Sequence, residues 1–453
     1  MLTDTYEHVV TRFAPSPTGF LHVGAYRTAI FAYLHARKHH GKFVLRIEDT
    51  DKERSQKVYE ENIIESLAWL ELTADIFVRQ SENVERHQAV LESLIASGNA
   101  YISKEEAKDG SGVIREIVRF KNPNTDVTFL DEIKGEVTMN TTDLGDFVIA
   151  KNIREPLFHL AVVVDDFDVG VTHVIRGEDH VSNTPRQILI QRAIGAPTPV
   201  YAHLPLVLGP DKQKLSKRRG ALALTEYRDR GYLPEAMLNM VALVGWNPGT
   251  AQELFTKAEL VEAFDLRKVQ KSPAVFNTEK LDWVNKEHIK LLSDEARLAH
   301  IEQFLPDHIK MLSGYTHEKL VHIAPLIIER ITHFDEVRTM AEAGELSYYF
   351  EAPHFDKEKL FWKQERDGAK LIERLTQVCA LLQGAEEAQF NQENVKKVLW
   401  DYAEQEGRGS VLWPVRYALS GREKSPDPFQ LAAILGKEET LRRLTHAITL
   451  YSE

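Results

Sequence analysis

Val9-Val10-Thr11-Arg12-Phe13-Ala14-Pro15-Ser16-Pro17-Thr18-Gly19-Phe20-Leu21-His22-Val23-Gly24 is the stretch that decides the fold. Residues 9–13 are β-prone, and the run from Pro15 to Gly19 cannot continue them, because proline removes ladder donors. Helix-compatible residues follow over 21–40, with Ala25, Ala29, Ala32 and Leu34 among the small or apolar positions and Gly41 as a stop. Residues 43–47 read as the next strand, which ends at Glu48-Asp49-Thr50-Asp51. Strand, helix and strand at this spacing predict a right-handed βαβ unit and a parallel sheet. Ser16, Thr18 and His22 then stand where a strand turns into a helix. A helix N-terminus offers free N–H groups and a positive dipole end, which suits a nucleotide phosphate. Gly19 and Gly24 permit close approach of a ligand or a neighbouring backbone. Taken alone, a His-x-Gly after a proline-rich turn is more often an ordinary surface turn.

Working outward, a second unit of the same kind lies far downstream. Residues 171–175 read as a strand. Thr184-Pro185-Arg186-Gln187 has a capping residue followed by proline at the first helical position, a good helix start. Ile188, Leu189, Ala193 and Ile194 supply apolar positions before Gly195 ends the helix, and residues 200–208 read as one buried strand. Residues 101–168 have a different texture, with short strand-like pieces at 116–120 and 147–150. They read as an insertion between the halves of one nucleotide-binding sheet. From about Ser293 the pattern becomes helical, as in residues 393–404 and 438–450. No internal repeat and no low-complexity tract interrupts it.

The chain has 453 residues, too long for one core, so two to five structural units are expected. Its 43% hydrophobic and 27% charged residues are ordinary for a globular protein. The net charge of −12 argues against a nonspecific nucleic-acid binder, although a local basic face still admits RNA. The sharpest such cluster is Lys212, Lys214, Lys217, Arg218 and Arg219. Cys379 is the only cysteine, which rules out an internal disulfide framework and a zinc site of several thiolates. It fits a reducing compartment, so a cytoplasmic location is expected. No apolar run is long enough to cross a bilayer, and residues 1–10 carry no basic head with an apolar stretch, so neither membrane insertion nor a secretory signal is expected.

Lys214-Leu215-Ser216-Lys217-Arg218 follows the last predicted strand and the turn Gly209-Pro210-Asp211. Two lysines three apart in a loop can neutralise a pyrophosphate as it leaves. In isolation this is a solvated basic loop. In combination the reading changes, because the first motif opens the first βα unit and the second follows the last strand of the split sheet. His22-Val23-Gly24-Ala25 and Lys214 to Arg218 resemble the HIGH and KMSKS signatures of class I aminoacyl-tRNA synthetases. Four further segments are similar to the glutamyl-tRNA synthetase family: Arg12 to Gly19, Leu45 to Asp51, Val174 to His180, and Phe276-Asn277-Thr278-Glu279-Lys280-Leu281. The resemblance is dense over residues 9–290 and thinner beyond, where Val411 to Arg416 and Leu435 to Glu439 continue it.

The resemblance implies an α/β fold: a Rossmann-type parallel-sheet catalytic domain (residues 1–100 and 169–213) split by an α+β insertion that binds the acceptor end (101–168). A KMSKS loop and stem-contact region (214–292) and an all-helical anticodon-binding region (293–453) would follow. It implies ATP-dependent activation of L-glutamate to an adenylate and transfer to the 3′-terminal adenosine of tRNA(Glu), with tRNA(Gln) left open. His22, Lys214 and Lys217 would be catalytic. Ser16, Thr18, His22, Gly24, Asp179, Lys214, Ser216 and Lys217 would face ATP. Arg12, Ala14, Ser16, Glu48, Phe158, Val162 and Arg176 would hold glutamate, with Arg12 on its side-chain carboxylate and Glu48 on its ammonium group. A structural Arg12–Glu48 ion pair at the sheet edge is the plainer alternative, and the carboxylates of residues 48–51 admit a metal-site reading. Mg²⁺ is expected with the ATP phosphates and no metal ligand set is assigned. Residues 101–120 contain neither cysteine nor histidine, so no structural zinc is expected. A monomer is expected. Departures from the family pattern are Ala25-Tyr26 after His22-Val23-Gly24, and Phe158 where a tyrosine commonly helps hold the amino acid. Val162 is asparagine in some relatives and valine in others. A glutaminyl enzyme would read differently at residues 15–19 and 47–51, a shortened relative that modifies a tRNA base would lack the C-terminal region, and a silent RNA-binding relative would not keep Arg12, His22, Glu48, Lys214 and Lys217.

Overall fold

The computed structural model describes residues 8–106, 114–215 and 222–452. The chain divides into two compact units, Met1–His288 and Ile289–Glu453. In the first, strands β1 (Val10–Phe13) and β2 (Lys42–Ile47) pair in parallel with Arg12 opposite Val44, and the helix Val23–Lys38 joins them. That helix is buried on most of its circumference, from Val23 and Tyr26 to His35 and Ala36. Arg37 and Lys38 in its last turn complement the negative end of the helix dipole. A side chain at Gly41 would meet the Val9 carbonyl oxygen at 2.0 Å, so only glycine lets the chain turn back against β1 here.

The next strands are β3 (Ile76–Arg79), β4 (Ala100–Glu106), β5 (Ile114–Phe120), β6 (Asp126–Asp131), β7 (Gly135–Asn140), β8 (Phe147–Asn152) and β9 (Glu155–Pro156). Then come β10 (His173–Gly177), β11 (Val200–Leu204), β12 (Val207–Leu208) and β13 (Ala274–Val275). The main sheet has the order β3-β2-β1-β10-β11-β6-β7, so β1 lies in its interior. Its first five members run parallel, with Thr11 opposite His173 and His173 opposite Val200. β4, β5, β8 and β9 form a separate antiparallel sheet.

Two expectations differ from this. Residues 200–208 form two strands in different sheets, because Pro205 interrupts the ladder between β11 and β12. Residues 101–168 do not stand apart either: β6 adds to β11 in parallel and carries β7 as a hairpin, so the segment widens the main sheet. One apolar core unites them, with Phe120, Phe129 and Phe147 packed among Leu160, Val163, Val174, Ile188 and Tyr201. Burying each such side chain contributes about 1.5–3 kcal/mol, which holds the two segments together cooperatively.

Helices carry the second unit, and among the described residues it has no strand. Its longest helices are Gly368–Gln383, Lys437–Ser452, Gln392–Glu406, His317–Arg330 and Arg408–Ser420. No helix among the described residues is long and apolar enough to cross a membrane.

Candidate functional site

Parallel strands β1, β2 and β10 end on one side of the sheet. The chain leaves β1 toward β2 and β3 in one direction and returns to β10 and β11 in the other. Such a switch point opens a crevice beyond the strand ends. A cavity of about 360 Å³ lies there, lined by residues from β1, β10, the β1–helix turn and the segment after β11. Its wall includes Arg12, Ala14, Ser16, His22, Gly24, Glu48, Phe158, Val162, Arg176, Asp179 and Lys214. Thr18 is exposed and lies outside this lining, its N–H spent on the Ser16 carbonyl at 2.9 Å, so the structure does not bring Thr18 to the cavity. Ser216 and Lys217 lie outside the described residues.

At one end of the cavity is a buried charge network. Arg12 Nε meets Asp166 Oδ2 at 3.3 Å, and Arg12 Nη1 donates to the Ile175 carbonyl at 3.4 Å. Asp166 Oδ1 also accepts from Arg46 Nη1. Arg46 Nη2 donates to Glu48 Oε1 at 3.0 Å. Behind them Asp165 accepts from Gln80 Nε2 and Asn83 Nδ2, each at 2.8 Å, and lies 2.7 Å from His87 Nε2. Arg12 and Glu48 therefore do not form a pair at a sheet edge. Each is tied to another partner, and β1 is an interior strand. Removing one member of such a buried pair costs about 3–5 kcal/mol, because a charge is left without compensation.

The network sets the charge states. Burial pushes the Asp166 carboxyl up, but Arg12 and Arg46 outweigh burial and hold it below the usual range. For Glu48 burial wins over Arg46, and its carboxyl sits above the usual range. Arg176, on β10, loses hydration on burial and is drawn down to about 10, which still leaves it charged at neutral pH. Among the described residues, Nη2 of Arg12, Nη1 of Arg176 and Oε2 of Glu48 have no hydrogen-bond partner. Two guanidinium donors and one carboxylate acceptor thus line one cavity.

The carboxylates of residues 48–51 do not converge as a metal site would require. Glu48 turns to Arg46, Asp49 accepts from the Ser81 N–H at 2.8 Å and hydroxyl at 2.5 Å, and Asp51 is held by Arg54 at 2.6 Å. No group of three potential metal ligands forms among the described residues.

The other end of the cavity is the start of the helix Val23–Lys38. His22 caps it in an extended conformation, and its Nδ1 accepts the Gly24 N–H at 3.1 Å. An Nδ1 that accepts leaves the proton of the neutral ring on Nε2. A side chain at Gly24 would approach His22 Cε1 to 2.9 Å and Nδ1 to 3.0 Å, so glycine makes room for the cap. Lys214 Nζ and Asp179 Oδ2 are 3.8 Å apart at the cavity mouth, both more than half exposed.

Several residues of the cavity wall and of the network behind it escaped the sequence reading. Arg27, buried on the capped helix, donates to the Val244 carbonyl at 3.3 Å and to Pro205. Its signal was a lone arginine inside an apolar helix. His180 packs its ring 5.7 Å from Phe158, and burial draws its imidazole down to about 4. Asp165 and Asp166, two acids inside an apolar helix (Phe158–Asp168), signalled the network equally well. Thr184 does not cap its helix as expected; its hydroxyl joins Arg176 at 2.9 Å, and Asn183 occupies the cap position.

A doubly wound parallel sheet with a helix N-terminus and a charged cleft at its switch point defines a nucleotide-binding enzyme. Comparison with known proteins carries this further. Residues 8–109 and 102–283 match the family described as tRNA synthetases class I (E and Q), catalytic domain, and residues 296–448 match an anticodon binding domain. The chain is 40% identical, over 97% of its length and 98% of the relative, to a glutamate–tRNA ligase of Aquifex aeolicus. It is 39% identical to one of Thermodesulfovibrio yellowstonii, over 97% and 99% of the two chains. A crystal structure of a glutamate tRNA ligase from Elizabethkingia meningosepticum in complex with its amino acid superposes with a TM-score of 0.86 at 31% identity, covering 98% and 99% of the two chains. The chain belongs to the class I (E and Q) tRNA synthetase family.

Proposed function

We propose that this enzyme is a glutamate–tRNA ligase, which activates L-glutamate with ATP and transfers it to the 3′ end of tRNA(Glu). One observation supports the glutamate assignment above the rest: the partnerless ends of Arg12, Arg176 and Glu48 match two carboxylates and one ammonium group. Guanidinium suits a carboxylate because it donates two parallel hydrogen bonds. Arg12 takes the side-chain carboxylate, Arg176 is the second cationic contact, and Glu48 receives the ammonium group. Ser16 and the Ala14 backbone complete the pocket, with Phe158 and Val162 as its apolar wall. A glutamine amide would leave a buried guanidinium without an anion, which is costly.

In the first step a glutamate α-carboxylate oxygen attacks the α-phosphorus of ATP, the bond to the β-phosphate oxygen breaks, and pyrophosphate leaves. His22 Nε2–H and Lys214 stabilise the charge that builds on the phosphates, together with Ser216 and Lys217 of the same sequence motif. Gly24 and Asp179 border the nucleotide. Thr18 is not retained in this role. In the second step the terminal adenosine attacks the mixed anhydride, through its 2′-hydroxyl by class I resemblance, and AMP leaves. Positioning dominates both steps. Mg²⁺ arrives with the ATP phosphates, and no structural zinc is assigned. Residues 101–168 would hold the acceptor end, 214–292 the inner stem and 293–453 the anticodon. The enzyme is taken to act as a cytoplasmic monomer.

ATP–pyrophosphate exchange with glutamate and with glutamine, each with and without tRNA, tests this reading. Exchange with glutamate is expected to exceed that with glutamine. The reverse preference, or no exchange under any of these conditions, overturns it. Charging of separate tRNA(Glu) and tRNA(Gln) decides whether the second is also a substrate.

A further inference from the structure

Behind Arg176, on the side away from the cavity, lies a chain of buried polar groups. Arg176 Nε donates to His203 Nε2 at 3.1 Å. His203 Nδ1 lies 2.5 Å from Asp131 Oδ2. The second Asp131 oxygen accepts the N–H groups of Ile133 at 2.9 Å and Lys134 at 2.8 Å, while Oδ2 also accepts the His203 N–H at 3.1 Å. Asp131 and His203 are both essentially inaccessible. Asp131 is on β6, His203 on β11 and Arg176 on β10, so three strands meet at this point.

The directions of these hydrogen bonds are fixed by elimination. A carboxylate that accepts three backbone N–H groups is ionised and can only accept. The His203 Nδ1 must then carry the proton. In a neutral imidazole that leaves a lone pair on Nε2, which is what the Arg176 Nε–H requires. A protonated ring, or the other tautomer, would set N–H against N–H. Burial lowers the His203 imidazole, which keeps it neutral, and the donors around Asp131 outweigh burial and hold its carboxyl low. Thr184 Oγ1 completes the clamp at 2.9 Å from Arg176 Nη2, and the Tyr201 ring lies 5.5 Å from the guanidinium carbon. With Nε and Nη2 held, Nη1 is left for the cavity.

We propose that Asp131 and His203 are positioning residues for amino-acid binding: Asp131 fixes the His203 tautomer, and His203 fixes the rotation of the Arg176 guanidinium toward the substrate carboxylate. The inference rests on the reading that Arg176 contacts glutamate. It also assigns a task to β6, a strand from the segment read as an insertion. That segment reaches the amino-acid pocket through the sheet as well as forming its own antiparallel layer.

Glutamate and ATP titrations of pyrophosphate exchange test it on the full chain with saturating tRNA. H203F removes the acceptor and should raise the glutamate KM by roughly tenfold or more, the range of one hydrogen bond to a charged group. The ATP KM and the kcat at saturating glutamate should stay within about twofold. D131N should act in the same direction, since an amide can donate to Nδ1 and move the ring proton to Nε2. H203Q supplies an amide oxygen for Arg176 and should recover most of the loss. D131N added to H203Q should then change the glutamate KM little, a comparison that stands even where H203F folds poorly. Equal rises in the glutamate and ATP KM values, or equal effects of D131N in the native chain and in H203Q, overturn the proposal. R176A separates the two claims. An unchanged glutamate KM in R176A refutes the pocket role and the positioning with it, whereas a raised KM in R176A beside native values in D131N and H203F refutes the positioning alone.

Discussion

At one end of the cleft Arg12 and Glu48 have side chains 5% and 8% exposed, each tied into a network with Arg46 and Asp166. At the other end Lys214 and Asp179 are 59% and 55% exposed and approach only to 3.8 Å. The first end is built before the substrate arrives. Its charges are desolvated and held by neighbours from different strands, so they can select a small charged amino acid without reorganising. The second end is wet, and its lysine is free to follow phosphate charge that moves during the reaction. Fixed charges serve recognition of a fixed ion, and loosely held charges serve one that departs. It follows that substitutions at the two ends should separate stability from rate.

The largest effect is expected at the buried end. Arg12→Ala removes the proposed carboxylate partner and leaves Asp166 with Arg46 as its only arginine. Breaking a buried pair costs about 3–5 kcal/mol, so both the melting temperature and glutamate-dependent activation should fall steeply. Wild-type-like glutamate KM and kcat would show that the buried end does not bind the amino acid. At the exposed end Lys214→Ala should lower the rate of adenylate formation by about 3 kcal/mol, the loss for one transition-state contact, and the same loss is expected for Lys217→Ala. Lys214→Ala should leave the melting temperature unchanged, because an exposed pair contributes about 0–1 kcal/mol. Unchanged single-turnover adenylate formation in both variants would break the comparison.

Gly24→Ala probes the junction between the ends. The added carbon lies within 3.0 Å of two His22 ring atoms and must push the imidazole off its cap. Loss of a cap costs about 1 kcal/mol, and the gain in helix propensity from glycine to alanine is of similar size. Stability should therefore change little while activation falls, by up to the roughly hundredfold loss of one charge-stabilising contact. A native rate in this variant would mean that the His22 ring need not sit where the cap holds it.

How much of this was legible in the sequence follows the range of the interactions. The βαβ unit and the helix ended by Gly195 depend on local patterning and turn chemistry, and both were readable. The residues of the cavity wall came almost entirely from motif resemblance. What was missed is non-local. The addition of β6 to β11 joins Asp131 to Tyr201 across a long stretch of chain, and alternation within β6 cannot reveal its neighbour. Arg46 was quoted as part of a motif, yet its pairing with an acid from the helix Phe158–Asp168 needed the fold. Thr184 read as a cap by type, and tertiary demand from Arg176 overrode the local preference. Thr18 was assigned by motif resemblance, but it is exposed and outside the cavity lining.

The smallest expected effect is the sharpest probe of the buried end, and it concerns Phe158. An aromatic at this position can be a pocket wall or a core side chain turned away. Phe158 lines the cavity, is only partly buried, and rests against the rings of His159 and His180 at 5.5 Å and 5.7 Å. The cavity it lines is also lined by Arg12, Glu48 and Arg176. Phe158→Tyr is therefore expected to lower the glutamate KM by about 0.5–1.5 kcal/mol, the net worth of one neutral hydrogen bond. The melting temperature should hold, because the hydroxyl keeps access to water in the open cleft. A core position would behave in the opposite way: an unsatisfied buried hydroxyl would lower the melting temperature by its desolvation cost and give nothing to the substrate. Glutamate titration and thermal melting of this one variant distinguish the two. A raised KM together with a lowered melting temperature would remove Phe158 from the pocket. It would also confine amino-acid recognition to the charged residues of the network.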